Sequence, residues 1–570
     1  NFCVILLKNK EELNFYKNSI NKSGFLENII KIITELKKYE ISSKSLSSLS
    51  SKINDKILSQ KLKDVAKIYD LLEEKISDKF VDNESRLNLL CEKIPEYTKN
   101  KKFKIYFDNF VSFTQLELNV IESLLSNEID ITMTLTYDDT YDSSFDITKK
   151  TLESMIKIAD KALSKYEIIH LDQSYNKIED LKHLEENFGK FDFKKYSKIP
   201  QNISLIKFDK ARTEIMYLAN KITMLIRQNE SDEKKYRYKD MAVVVTDSVG
   251  YAPLIKEIFD MYDIPYFIDT KRNITQENIV NMLFSFLDMF VKSPNHSNIM
   301  SFFKSGMSDI KKEDYEIFEN FLIRWNMDSQ KFINIKFFDS EKYFNDISDY
   351  DRERICFVKD YIMNLYSKYK QILSRKNKVK VFSQELNRFF KELNCQQKLE
   401  NLVEELKLTG NYEIASEISQ IWNILLSTLD KVNNILDDYE ISIDDYKKML
   451  YQGLSTQKIA LIPPTMDGVM IMDIQRSKSL GYKVLFAVGM NDTLLPQTFK
   501  QDVIFAEQDK KILLENDINM MSTSANMLSQ ENTALYIILS KTREKLYLTY
   551  NISDVNEQSA GKSSYLHTIE

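Results

Sequence analysis

Short apolar runs rich in β-formers recur along this chain, and a helix-length amphipathic stretch separates most of them. The first is "FKIYFD", beginning at Phe103, bounded by a lysine cluster on one side and by Asp108 and Asn109 on the other. A helix from about Gln115 to Leu125 follows it, and then a second run, "IDITMTLTYDD". Strand, helix, strand at this spacing is the mark of a parallel sheet, because parallel neighbours need a crossover long enough to hold a helix. The same alternation restarts near Ile203 with "ISLIKF", a helix over 211–228, "MAVVVT", a helix over 248–262 and "IPYFI". From about Gln276 to Lys447 the spacing is helical, and strand character returns only at "GVMIMDI", "KVLFAVG" and "KLYLTYNI". Neither flank of that helical block carries enough strands for a sheet, so the second α/β unit reads as one sheet interrupted by an insertion.

The first hundred residues are helical as well. In "KILSQKLKDVAKIYDLLEEKI" the apolar positions Leu58, Leu62, Val65, Tyr69, Leu72 and Ile76 form one stripe of a long amphipathic helix. The fold class is therefore α/β, two parallel-sheet lobes with large all-helical insertions. The expected organisation is 1–100, helical insertion of the first lobe; 101–200, first lobe; and 201–275, first part of the second lobe. It continues with 276–450, helical insertion; 451–552, second part of the second lobe; and 553–570, a polar linker.

Composition narrows the function. Hydrophobic residues at 43% and charged residues at 29% are globular proportions, and no apolar run approaches the length that spans a bilayer. With no signal peptide at the start, the expected compartment is the cytoplasm. The formal net charge of −6 excludes a uniformly basic nucleic-acid binder but leaves room for a local cationic groove. Cys3, Cys91, Cys356 and Cys395 have no C-x-x-C spacing and read as reduced thiols. The acidic loop with Asp138, Asp139, Asp142 and Asp146 lacks the turn glycine and closing glutamate of a calcium loop. His170, His183, His296 and His567 form no ligand spacing. Of the ten glycines, only Gly189 and Gly561 precede lysine, and Leu184 and Asn556 stand where a phosphate-binding loop needs its first glycine. Nothing in this stretch cradles a triphosphate by that route.

Several segments resemble degenerate motifs of superfamily 1 DNA helicases, closest to the AddB subunit family of bacterial AddAB helicase–nucleases. "IYFDNFVSFTQLELNVI" is similar to that family's Walker B strand, and "ARTEIMYLANKI" with "YRYKDMAVVVTDSVGYAPLIKEIFDMYDIPYFID" to the start of its second lobe. "DIQRSKSLGYKVLFAVGMNDTLLP" and "NTALYIILSKTREKLYLTY" resemble its closing motifs. The resemblance implies that both lobes are RecA-like. It also implies a subunit that processes double-strand DNA ends for recombinational repair beside an AddA-type partner that pulls the DNA. The AddB-type core lines the path of one single strand and scans it for the regulatory Chi sequence. By the same resemblance the chain is a central fragment, with the Walker A segment upstream and a nuclease domain holding a 4Fe-4S cluster downstream. Mg²⁺ and ATP belong to the parent family; no cofactor is expected in this stretch.

The departures from an active motor are specific. Where a motor has D-E-x-Q-D, this chain has Asp108, Asn109, Phe110, Val111 and Ser112, and an amide cannot act as the base. Asp108 is either a remnant of the nucleotide–Mg²⁺ site or a cap for the next helix. Where a motor has T-x-H-x-x-K-G-L-E, the chain has Asp473, Gln475, Lys478, Ser479, Leu480 and Gly481, keeping only the lysine and the leucine. The arginine that meets the γ-phosphate falls on Lys541, and Arg543 would share its face if the segment were extended. These losses imply a non-motor core.

Single strands are held by aromatic platforms and backbone cations. The candidates are Phe110 and Phe113 beside the Walker B strand, and Arg476, Lys478, Lys541 and Arg543 at the second-lobe edge. Core packing is the alternative for the phenylalanines, and a solvated face for the cations. Two other functions compete with the scanning role. An active, divergent ATP-dependent helicase would need a catalytic glutamate and a P-loop; a pure scaffold for the partner would not touch DNA.

Overall fold

The computed structural model describes residues 10–20, 24–76, 83–99, 103–138, 144–171, 178–190, 192–227, 236–268, 272–326, 332–333, 341–436, 439–459, 467–474, 481–492, 494–497, 503–518, 520, 523–553 and 558–570. Two compact units emerge, one of residues 271–464 and one that joins 2–270 to 465–570.

The larger unit begins with helices α1 (Phe25–Lys38), α2 (Ser43–Lys52), α3 (Lys56–Ile76) and α4 (Asn83–Thr98). The predicted stripe of α3 faces inward: Leu58, Leu62 and Val65 are fully buried and Tyr69 nearly so. Strand β1 (Lys104–Phe107), helix α5 (Gln115–Ser126) and strand β2 (Asp130–Met133) form a β-α-β unit whose strands pair in parallel. One face of this two-stranded sheet, carrying Ile105 and Ile131, packs on Ile94 of α4 and Leu124 of α5. Helices α6 (Asp146–Lys161) and α7 (Glu179–Asn187) lead into the second lobe.

That lobe is a six-stranded sheet. Strand β3 (Ile203–Lys210), helix α8 (Ala211–Arg227), strand β4 (Met241–Val245), helix α9 (Ser248–Met261) and strand β5 (Tyr266–Ile268) precede the helical insertion. After it come β6 (Val469–Asp473), β7 (Tyr482–Val488), helices α10 (Glu507–Glu515) and α11 (Ser524–Ser540), and β8 (Thr542–Ser553). The order is β3-β8-β7-β4-β6-β5, with every pairing parallel. Strands from both sides of the insertion thus interleave in one sheet.

Alternation along β4 explains why both faces are covered. Met241, Val243 and Val245 point into a core shared with Ile215, Leu218 and Ile222 of α8 and Ile255 and Phe259 of α9. Ala242 and Val244 point the other way, toward Leu181 of α7 and Leu535 and Ile538 of α11. A strand buried on both faces reads as a continuous apolar run, as "MAVVV" does.

The unit 271–464 is helical. Phe286 of helix Asn278–Val291 stacks on Phe389 of helix Val379–Glu392 at 3.8 Å and 11°. Its first residues pair antiparallel with its last, Arg272 opposite Ile459 and Asn273 opposite Lys458. The chain therefore enters and leaves the insertion side by side. This unit runs somewhat beyond the 276–450 expected.

Two further expected boundaries need correction. Residues 503–520, assigned to the second lobe, instead contribute Ile504, Phe505, Leu513 and Met520 to the core of α1–α3. Tyr16 secures the docking by donating its hydroxyl to the Ile504 carbonyl at 2.6 Å. Over 558–570 the expected linker is folded onto the second lobe: Ser563 is fully buried and donates to the Leu495 carbonyl at 2.6 Å, and Leu566 enters the sheet's core. Its polar composition hid this because backbone groups and hydroxyls, rather than apolar side chains, make most of the contacts. Among the described residues, no helix is long and apolar enough to cross a membrane.

Candidate functional site

The C-terminal end of β1 turns sharply at Asn109, whose φ of 61° is left-handed, a conformation asparagine tolerates better than most residues. Thr134, just past β2, holds this turn. Its hydroxyl donates to Asp108 Oδ1 at 2.5 Å and accepts the Asn109 backbone N–H at 2.9 Å. Asp108 does not cap the following helix; Thr114 does, in a capping box with Glu117. The capping reading of Asp108 is therefore corrected.

Phe107, Phe110 and Phe113 cluster at the same turn. Phe110 and Phe113 stack at 4.9 Å and 15°, and Phe107 meets both edge-on at 5.7 and 5.8 Å. Phe113 is half-buried, whereas Phe110 is 43% exposed, so the pair is not simply core.

Helix α6 and the second lobe's α11 pack against this turn. Val111, Ile147 and Ile537 form a small shared core. Around it the Thr151 hydroxyl donates to the Val111 carbonyl at 2.8 Å, and the Thr533 hydroxyl to the Ser144 carbonyl at 2.9 Å. Phe145 packs edge-on against Tyr536 at 5.0 Å. Lys541 is the C-cap of α11, so this junction delivers it to the Asp108 side. Burial lowers the pKa of the Lys541 ammonium, and the nearby Asp108 carboxylate opposes that shift. Asp108 is thus engaged by a hydroxyl and faces a cation. Among the described residues, no group of three or more histidine, cysteine, aspartate or glutamate side chains is placed to hold a metal ion.

The segment from Lys541 to Arg543 is not extended throughout. Lys541 has helical backbone angles, and β8 begins only at Thr542, so strand alternation does not relate the two. Arg543 is exposed and lies over Gly481, where an added Cβ would sit 3.1 Å from its Nε and Nη2 atoms. Arg476 and Lys478, with Gln475, Ser479 and Leu480, lie outside the described residues. Asp108, Phe110, Phe113 and Lys541 are brought to one junction.

A second polar centre was not anticipated. Glu214, 1% exposed, sits at the carboxyl ends of the central strands. One carboxylate oxygen accepts the Gly489 N–H at 3.0 Å and the Thr549 hydroxyl; the other accepts the Tyr251 hydroxyl at 2.8 Å and Asn551 Nδ2 at 2.6 Å. Burial raises the Glu214 pKa against these four donors. From Asn551 the network runs on: Asn491 Nδ2 donates to the carbonyls of Asn551 and Gly561 at 2.6 and 3.0 Å. It thereby ties α8, α9, β7 and β8 to the docked tail. A signal for it was present, since Glu214 falls on the apolar stripe of α8 with Ala211, Ile215 and Leu218.

A family model described as "UvrD-like helicase C-terminal domain" matches residues 153–553, and one described as "ADDB, N-terminal" matches residues 3–185. Proteins named as the B subunit of an ATP-dependent helicase/deoxyribonuclease are similar over almost the whole chain. That of Clostridium novyi (strain NT) is 29% identical over 555 residues, covering 96% of this chain and 48% of the relative. That of Clostridium kluyveri (strain NBRC 12016) is 29% identical over 585 residues, covering 99% and 50%. That of Clostridium botulinum (strain Hall) is 30% identical over 571 residues, covering 96% and 49%. The chain spans about half the length of these curated relatives.

Proposed function

We propose that this chain, which belongs to the family of UvrD-like helicase C-terminal domains, is the non-motor core of a helicase–nuclease subunit and guides one DNA strand without hydrolysing ATP. The observation that carries this reading is the turn after β1. The position of the catalytic base is Asn109, held in a left-handed conformation by Thr134. A carboxamide takes no proton from an attacking water, and the Asp108 carboxylate beside it lies near the Lys541 ammonium.

By analogy with the clostridial relatives, each named as one subunit of a helicase/deoxyribonuclease, the whole protein works with a second, AddA-type subunit that supplies translocation. Together they resect double-strand ends for recombinational repair in the cytoplasm, and this core scans the outgoing strand for Chi. ATP, Mg²⁺ and a 4Fe-4S cluster serve the assembly outside the residues described. Phe110 and Phe113 offer a stacking platform, and Lys541 and Arg543, with Arg476 and Lys478, offer cations for the phosphates.

The test is co-purification of the full-length protein with its AddA-type partner on a blunt DNA end. A stable ternary complex is expected, with strand separation lost when the partner's ATPase is disabled. Unwinding without the partner would refute the non-motor reading. The stacking platform has its own test: Phe110→Ala with Phe113→Ala should weaken single-strand binding severalfold in a protein that remains folded.

A further inference from the structure

The α2–α3 hairpin carries a charge pattern that the fold does not use. Between Glu40 and Asp64 the sequence holds five lysines (44, 52, 56, 61 and 63), eight serines and a single acid, Asp55, in a chain whose net charge is −6. Asp55 is engaged as the cap of α3, accepting the Ile57 and Leu58 N–H groups at 2.8 and 3.0 Å. Lys61 is paired with Asp509 at 2.6 Å. Lys44, Lys52, Lys56 and Lys63 are all exposed, and among the described residues no carboxylate pairs with any of them.

These four do not sit on a floppy loop. Leu46 and Leu49 of α2 and Leu58 and Leu62 of α3 are buried in one core. Ser50, itself buried, accepts the Ser59 hydroxyl on its carbonyl at 2.6 Å, so the helices approach closely. On α2, Lys44, Ser47, Ser48 and Lys52 fall within about half a turn of one another around the axis. On α3, Lys56 and Lys63 are seven residues apart and share a face. The result is a rigid surface of lysines and small hydroxyl side chains.

We infer that the solvent face of the α2–α3 hairpin is a contact surface for the phosphate backbone of double-stranded DNA. Lysine and serine are phosphate-contacting residues that carry no base specificity. No aromatic side chain is exposed anywhere on the hairpin from 42 to 63, and single-strand binding needs such platforms. The chemistry therefore favours duplex over single strand, and complements the Phe110–Phe113 pair rather than duplicating it. The inference rests on the reading that the chain works on DNA.

The test is fluorescence anisotropy of the full chain on a blunt duplex and on a single-stranded oligonucleotide between 50 and 200 mM salt. It compares wild type with a variant carrying Lys44→Gln, Lys52→Gln, Lys56→Gln and Lys63→Gln. Glutamine keeps helix propensity close to that of lysine, and a thermal melt confirms that the variant folds. Four phosphate contacts correspond to a slope of about −3.6 in log K against log salt, so duplex affinity attributable to this face should fall by about a hundredfold over that range. The variant should lose most of that slope on duplex while its single-strand affinity is unchanged. An unchanged duplex slope overturns the hairpin surface and leaves the DNA-guiding reading standing. No binding to either DNA by wild type sinks both. If the substitutions abolish binding to phosphatidylserine vesicles but leave duplex binding intact, the face is a lipid surface and the inference fails.

Discussion

Glu214→Gln should be far more costly than an isosteric change usually is. The carboxylate accepts two donors on each oxygen: the Gly489 N–H and Thr549 hydroxyl on one, the Tyr251 hydroxyl and Asn551 Nδ2 on the other. A glutamine can present its carbonyl to one pair only and must turn its NH₂ on the other. The hydroxyls of Thr549 and Tyr251 can rotate and accept instead, and the Asn551 amide can accept only by flipping, which gives up its Nδ2 bond to the Tyr251 hydroxyl; the Gly489 N–H cannot accept at all. The variant must therefore either set an N–H against the Gly489 N–H or flip Asn551, and in both cases it loses charge-assisted bonds, a cost of about 1.5–3 kcal/mol. The assay is hydrogen exchange over 482–492, which includes the Gly489 amide; that cost corresponds to roughly tenfold to 150-fold faster exchange through local opening. Protonation of Glu214 is a milder change, since a carboxylic acid oxygen still accepts and only one hydroxyl must turn. Burial holds the folded-state pKa above that of the unfolded chain. The group's stabilising contribution is thus fully present below the unfolded value and is lost as pH rises through the folded one. The stability gap between wild type and variant should accordingly widen as pH falls. Unchanged protection over 482–492 in a folded Glu214→Gln protein would refute the claim that this carboxylate organises the strand ends.

Gly489→Ala should destabilise the same centre by roughly 2–4 kcal/mol in thermal melts, because it combines a left-handed backbone with overpacking. Gly489 has φ +70°, and an added Cβ would lie 2.7 Å from the Tyr251 hydroxyl; a melt within error of wild type would contradict this geometry. Asp108→Asn should lower the Lys541 pKa further, since the carboxylate opposes the effect of burial there. Competitive acylation should then find Lys541 reacting faster at a given mildly alkaline pH, and a slower reaction would mean the two groups do not interact. Cys395 is fully buried and its thiol is pushed up to about 12, so iodoacetamide at pH 8 should label it only after unfolding. Labelling in the native protein would count against that burial.

Much of this was legible in the sequence because the relevant physics is local. A central parallel strand is apolar on both faces, so "MAVVV" and "KVLFAV" announce themselves. An amphipathic helix repeats every three or four residues, so α3 and α8 do too. The absence of a base at Asn109 is a matter of residue chemistry and needs no coordinates. The interruption of the second sheet by a helical block followed from counting strands. What the chain could not disclose locally was which distant polar atoms meet. Asp108 finds Thr134 instead of the helix beside it, and Lys541 reaches the Asp108 side only because Val111, Ile147 and Ile537 pack together. The polar tail 558–570 docks through backbone and hydroxyl groups that leave no apolar signature. Glu214 marked itself as a carboxylate on an apolar stripe, but its four donors come from α9, β7 with its following turn, and β8. Local spacing sets which face of an element is buried; only the packed structure decides which buried polar groups become partners. Each of those groups must find one once water is excluded.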